Sequence, residues 1–289
     1  GIKAFESKLY KDAFNHFSQV IKISPSNTIA YINRAAAKRE LGDDDGALKD
    51  YEKALEIDPY NGFVYYSLGV REASLGYSNS KNKTLSNNSF SKALKYFDKA
   101  IVLDKNLYYA YLYRASVKVD AWQDHAGAIT DYNLYLESQP EDDNAYYQRA
   151  VSKSEIKDFE GSISDLNKAI EINPWNMFYF RRRAIINQYI FYNYEEAIKD
   201  YNNIIALNDG SSYEYLHIGL AKASMGKLDE GLKSLEQSIK LEENNAESHY
   251  WKGVILMDIN NKTEGCKSLQ KALTLGYQDT DIKIKELCK

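Results

Sequence analysis

Cysteine is almost missing from this chain: there are two, Cys266 and Cys288, both near the carboxy end and too few to fix a redox compartment. Proline is scarce at 4 and glycine modest at 15, which leaves long stretches without helix-interrupting residues. No run of 18 apolar residues occurs, so no membrane-spanning helix is expected, and the opening GIKAFESKLYKDAF has no apolar core of the kind a secretion signal needs. An excess of one charge is lacking too. The 37 basic and 41 acidic residues are well mixed, giving a net charge of -4 without the basic footprint of a nucleic-acid binder. No P-loop, GxGxxG or GxSxG motif is present, so nothing implies a cofactor. The four histidines, His16, His125, His217 and His249, have no Cys/His/Asp set at metal-ligand spacing. The residues give no ground for an enzyme.

What the chain does have is tyrosine, 25 of them, within a 13% aromatic content that argues against disorder despite a mean hydropathy of -0.55. It also has an internal period. The stretch Thr28–Asn61 reads as two amphipathic helices joined by a turn and closed by a proline. With Thr28 as position 1, small residues stand at positions 8, 20 and 27 (Ala35, Ala47, Ala54), an aromatic or leucine at 24 (Tyr51) and proline at 32 (Pro59). The pattern recurs over 143–176 (Ala150, Ser162, Leu166, Ala169, Pro174), 212–245 (Gly219, Gly231, Leu235, Ser238) and 246–279 (Gly253, Gly265, Leu269, Ala272). Segments 108–142 and 177–211 carry one extra turn residue, and 62–107 fits if 77–88 is an inserted loop, expected to be mobile because it is polar and lacks helical periodicity. Residues 1–27 hold a partial repeat, marked by Ala13, Phe17, Val20 and Pro25.

These residues resemble the tetratricopeptide repeat (TPR), and the resemblance runs to about Asp279. It implies an all-α fold: a right-handed α-solenoid superhelix of antiparallel helix pairs, one solenoid over 1–289. The small residues let paired helices approach closely, and each pair buries its apolar face only by stacking on the next. The tail 280–289 reads as a cap helix over the last repeat; no such cap precedes the first, so a carboxy-terminal fragment or a processed chain is expected. The family's tryptophan at position 4 is replaced by Tyr31, Tyr65, Tyr111, Tyr146, Phe180, Tyr215 and His249. The carboxy-terminal segment also resembles those of bacterial repeat proteins with paired cysteines, which implies a Cys266–Cys288 disulfide; spacing alone leaves two free thiols equally open, as it leaves a cytoplasmic or an exported setting.

Comparison between copies adds one expectation. Position 7 is Arg34, Arg114, Arg149 and Arg183 in four repeats, and those four have Asp50, Asp131, Asp165 and Asp200 at position 23. The remaining complete copies have Leu68, Ile218 and Lys252 with Tyr96, Ser234 and Ser268. The covariation predicts an ion pair between the two helices of one repeat.

In the family, first-helix positions 2, 5, 9 and 12 face a concave groove. The resemblance therefore implies a partner-binding surface at Phe63, Tyr66, Tyr109, Leu112, Tyr147, Phe178, Arg181, Tyr213 and Tyr250, suited to an extended or helical peptide, with Arg181 as a basic point for an acidic group. The Lys and Asn set with which some members clamp a terminal carboxylate is absent, since positions 5 and 9 of the first complete repeat are Ile32 and Ala36. The expected function is a non-enzymatic scaffold for a protein or peptide partner; the alternative is a segment that self-associates through its amino end.

Overall fold

A computed structural model of the chain describes residues 2–208, 210–278, Ile284 and Cys288. The described residues are all α, with sixteen helices and no strand. The chain divides into two compact units, Gly1–Pro140 and Glu141–Lys289. The first holds α1 (Ile2–Glu6), α2 (Tyr10–Ile23), α3 (Thr28–Glu40), α4 (Asp44–Ile57), α5 (Gly62–Ser78), α6 (Lys83–Leu103), α7 (Tyr108–Trp122) and α8 (His125–Ser138). The second holds α9 (Asp143–Glu155), α10 (Phe159–Ile172), α11 (Met177–Tyr189), α12 (Tyr194–Asn208), α13 (Ser212–Ser224), α14 (Leu228–Leu241), α15 (Ala246–Asp258) and α16 (Lys262–Thr274).

Local chemistry sets these boundaries. Most first helices start on a side-chain cap, α7 behind Leu107 being an exception: Asn27 accepts from the Ala30 amide at 3.0 Å, Asp142 from Ala145 at 2.9 Å and Asn245 from Ser248 at 2.9 Å. Second helices start on Asp43, Asp124 and Asp158, which accept from the amides of Gly46, Gly127 and Gly161. A Cβ on any of these glycines would fall 2.0–2.2 Å from the capping carboxylate, which is why the position carries none. The α2, α4, α8 and α10 helices each end two residues before one of the four prolines, since the residue ahead of proline is driven out of the helical region.

Helices pack in consecutive pairs, α3 with α4 through α15 with α16, and each pair packs on its neighbour within the unit. The core lies where the small residues meet the position-24 side chain: Ala35, Ala47 and Ala54 around Tyr51 in one repeat, Ala150 and Ala169 around Leu166 in another. A Cβ on Gly219 would lie 2.9 Å from Leu235 Cγ, so that approach requires glycine.

The stretch Tyr77–Asn88, expected as a mobile inserted loop, is mostly helical. The α5 helix runs 17 residues and α6 runs 21, against 13 and 14 for α3 and α4, so the insertion lengthens both helices of one pair. Asn82 caps α6 by accepting from the Leu85 amide at 3.2 Å, and Ser86 Oγ donates to the Gly76 carbonyl at 2.8 Å. Phe90 lies over Gly76, where a Cβ would meet its ring at 2.5 Å. From 81 to 90 only Ser86 and Phe90 are buried, which is too little to show as a periodic apolar stripe.

The expected cap helix over 280–289 lies almost wholly outside the described residues. Cys288 is joined to Cys266 by a disulfide, with the Cα atoms 5.7 Å apart.

Candidate partner-binding surface

Part of the first-helix surface holds the repeats together. Each position-7 arginine forks onto the aspartate of its own second helix. Arg34 Nε and Nη2 reach Asp50 at 2.8 and 2.7 Å, and Arg114 reaches Asp131 at 2.9 and 2.5 Å. Arg149 reaches Asp165 at 2.8 and 2.6 Å, and Arg183 reaches Asp200 at 2.9 and 2.6 Å. The aspartates are buried, at 4%, 1%, 3% and 1% exposure.

Two further parts of this network were not seen in the sequence. A lysine at position 11 joins three of the pairs: Lys38 to Asp50 at 2.9 Å, Lys118 to Asp131 at 2.8 Å and Lys153 to Asp165 at 2.8 Å. Each lysine also donates to the carbonyl of Gly46, Gly127 or Gly161. In the fourth copy the position is Asn187, and burial raises the Asp200 carboxyl above its ordinary value despite Arg183. The position-4 ring then covers the guanidinium: Arg34 lies 5.5 Å from the Tyr31 ring centroid, Arg114 5.6 Å from Tyr111, Arg149 5.3 Å from Tyr146 and Arg183 5.8 Å from Phe180. Comparison of the copies could have revealed the lysine, which travels with three of the four Arg–Asp sets.

In the first unit Phe63 and Tyr109 stand 46% and 53% exposed. Tyr66 is half-buried, 5.5 Å from Phe63 and 5.9 Å from Tyr113, a ring the sequence reading did not include. Leu112 packs partly into the cluster of Ala115, Ala128 and Tyr132. In the second unit Phe178 is exposed, Tyr147 packs on Tyr179 at 5.1 Å, and Tyr250 stacks on Tyr277 at 4.7 Å.

Tyr213 and Arg181 belong to an internal cluster. Tyr213 lies 4.1 Å from the His217 ring, with the Arg181 guanidinium 5.2 Å over its own ring. The expectation that Arg181 offers an acidic group an open cation is corrected here: its Nε donates to Glu214 Oε1 at 3.0 Å, and Glu214 is 1% exposed. The other Glu214 oxygen accepts from the Ser211 amide at 2.9 Å in a capping box. A buried carboxylate already holds this cation. His217, whose Nδ1 meets the Tyr189 hydroxyl at 2.7 Å, is held neutral by burial, its pKa lowered to about 4.

A hollow of about 310 Å³ opens in the second unit between α11, α13 and α15, with Gln188, Tyr189, Tyr192, Tyr194, Trp251 and Asp258 among its walls. Its walls include first-helix positions 9 (Leu220, Val254) and 12 (Gln188, Ala223), which the family's groove pattern names; the candidate residues stand at positions 2 and 5 alone, so these positions and the aromatic turn at Tyr189–Tyr194 were the available signal. No group of three or more His, Cys, Asp or Glu side chains able to hold a metal ion occurs among the described residues.

Family models described as tetratricopeptide repeat match residues 28–61, 143–174 and 216–279. The chain is a tetratricopeptide repeat protein. Among curated relatives of this TPR chain is the small glutamine-rich tetratricopeptide repeat-containing protein 2 of Saccharomyces cerevisiae, 43% identical over 82 residues, 26% of this chain and 24% of that protein. Another is the Hsp70-Hsp90 organizing protein 3 of Arabidopsis thaliana, 44% identical over 55 residues, 19% of this chain and 10% of that protein. The chain thus spans a quarter or less of the length of these two relatives. Among solved structures, a tetratricopeptide repeat protein from Parabacteroides merdae matches with a TM-score of 0.52 and 21% identity, covering 90% of this chain and 96% of that one. At that identity the likeness concerns the TPR fold alone.

Proposed function

We propose that this protein is a non-enzymatic interaction scaffold that holds an extended or helical segment of a protein partner on the first-helix faces of its repeats. The carrying observation is the first-unit cluster of Phe63, Tyr66 and Tyr113, rings from successive first helices with Phe63 and Tyr113 exposed, together with Tyr109, which stands exposed against Tyr135. Aromatic rings give large contact area at small entropy cost and are favoured anchors for polypeptides. Phe178, Tyr147 and Tyr250 supply the corresponding first-helix rings of the second unit. The arginines at position 7 are not available to a ligand, being committed to Asp50, Asp131, Asp165 and Asp200. The Arabidopsis relative is by name an organizer of Hsp70 and Hsp90; with Ile32 and Ala36 where a carboxylate clamp needs polar side chains, those partners are not carried over to this chain.

Selection of a random peptide library on the purified protein tests the reading. Enriched peptides should bind the wild type and weaken at least roughly tenfold with Phe63→Ala/Tyr66→Ala, a loss of about 1.4 kcal/mol or more. Equal binding to the double variant would remove this surface from consideration. An empty selection, with a concentration-dependent sedimenting mass that the same substitutions collapse, would replace it with self-association.

A further inference from the structure

The hollow between α11, α13 and α15 has a one-sided chemistry. Asp258 contributes a carboxylate, Tyr189, Tyr192, Tyr194 and Trp251 contribute rings, and among the described residues no lysine or arginine lines it. Gln188 adds the most specific feature. Its Nε2 donates to the His217 carbonyl at 3.3 Å, which fixes the orientation of the amide, and its Oε1 is buried without a hydrogen-bond partner in a side chain only 3% exposed. A buried acceptor left unpaired is costly and is expected to have a donor in some state of the molecule. Asp258, at the exposed end of α15, takes part in no ion pair among the described residues. A neighbouring hollow shares Tyr192 and Tyr194 and adds Glu195 and Glu196.

From these observations we propose that the hollow receives a basic side chain, arginine or lysine, presented by a partner polypeptide. The apolar stem lies along Trp251 and the tyrosine rings, and the cation faces their electron-rich surfaces and the Asp258 carboxylate. Burying a cation needs both charge compensation and acceptors, and this hollow has both. An acidic side chain would face Asp258, with Glu195 and Glu196 lining the neighbouring hollow, and a purely apolar one would leave the Asp258 carboxylate without a counter-charge. The volume of about 310 Å³ is at the small end for ligand pockets and suits one long side chain. The proposal rests on the reading that the partner is a polypeptide and adds the charge of one of its anchoring residues.

The test uses nitrogen-15 NMR of the full chain, following the indole N–H signals of its three tryptophans. The probe is acetyl-Ala-Arg-Ala-amide, with the citrulline and glutamate tripeptides as neutral and acidic counterparts. The arginine peptide should move the Trp251 signal saturably and leave Trp122 and Trp175 in place. Its binding should weaken at least fivefold with Asp258→Asn, and the citrulline peptide should bind the wild type equally weakly. Equal shifts with citrulline, no effect of Asp258→Asn, no response at Trp251, or matching shifts at Trp122 and Trp175 would each overturn the proposal. Phe63→Ala/Tyr66→Ala should leave this titration unchanged, so loss of the peptide-binding cluster and loss of the basic-side-chain site are read separately.

Discussion

An arginine, an aspartate and, in three copies, a lysine form an ion-pair network that recurs in four of the helix pairs. The aspartate is buried while its partners keep 14–21% of their side chains in solvent, so deleting the anion strands cations at the edge of the core. Asp165→Ala should cost about 3 kcal/mol in urea unfolding, whereas replacing Arg149, Lys153 and Asp165 together with apolar residues of similar size should cost much less. Asn187→Lys should supply the missing third partner, lower the Asp200 carboxyl and raise stability by about 1 kcal/mol, a gain that disappears in an Asp200→Asn background. His217 sets a pH dependence of its own. Its folded pKa of about 4 lies below the unfolded value near 6.5, so the unfolded chain binds the proton first on acidification. The stability it confers is full above about pH 6.5 and falls by about 3 kcal/mol as pH drops toward 4. The difference in slope between wild type and His217→Gln over that window measures it. Arginine and aspartate at matching positions in different copies were legible because one sequence contained its own controls. The rings over the guanidinium were not, because Tyr at position 4 also has the simpler reading of a substituted tryptophan.

Helix pairs were legible wherever burial followed the period of 34 residues. Positions 8, 20, 24 and 27 are fixed by contact between partner helices, so the sequence repeats them. The lengthened α5–α6 pair escaped because its extra turns are held by two residues and a cap. Gly76→Ala should therefore destabilise the chain by about 2 kcal/mol, since the added methyl meets the Phe90 ring at 2.5 Å. Phe90→Ala should cost about 3 kcal/mol and free the Tyr77 ring, whose hydroxyl donates to Asp120 at 2.6 Å across to α7. Thermal melts of the two variants check both, and hydrogen exchange should place the loss in the tips of α5 and α6. The hollow in the second unit was illegible for a different reason: the first-helix positions that line it, 9, 12 and 13 among them, recur but carry different residues in each copy (Leu220 and Val254, Gln188 and Ala223, Tyr189, Ser224 and Asp258), so no copy forecasts another.

Within each unit the described helix pairs pack on their neighbours along the chain, and for such an array stability is close to a sum of local terms. The Cys266–Cys288 bridge encloses a separation of 22 residues, so opening it should cost about 3 kcal/mol, felt in the last helix pair. With a reductant, amide exchange should accelerate in α15 and α16 and stay unchanged in Gly1–Pro140. The same guanidiniums that fork onto their own second helix also reach the one before it: Arg34 to Ser18 at 3.5 Å, Arg114 to Asp98 at 2.7 Å and Arg183 to Asn167 at 2.6 Å. Such a shared group turns separate hairpins into a chain of latches. Pulled from its two ends, the protein should give way one whole repeat at a time wherever the latch is present, with each rupture a discrete step in the force trace, and peel more smoothly where Leu68 or Ile218 leaves it out.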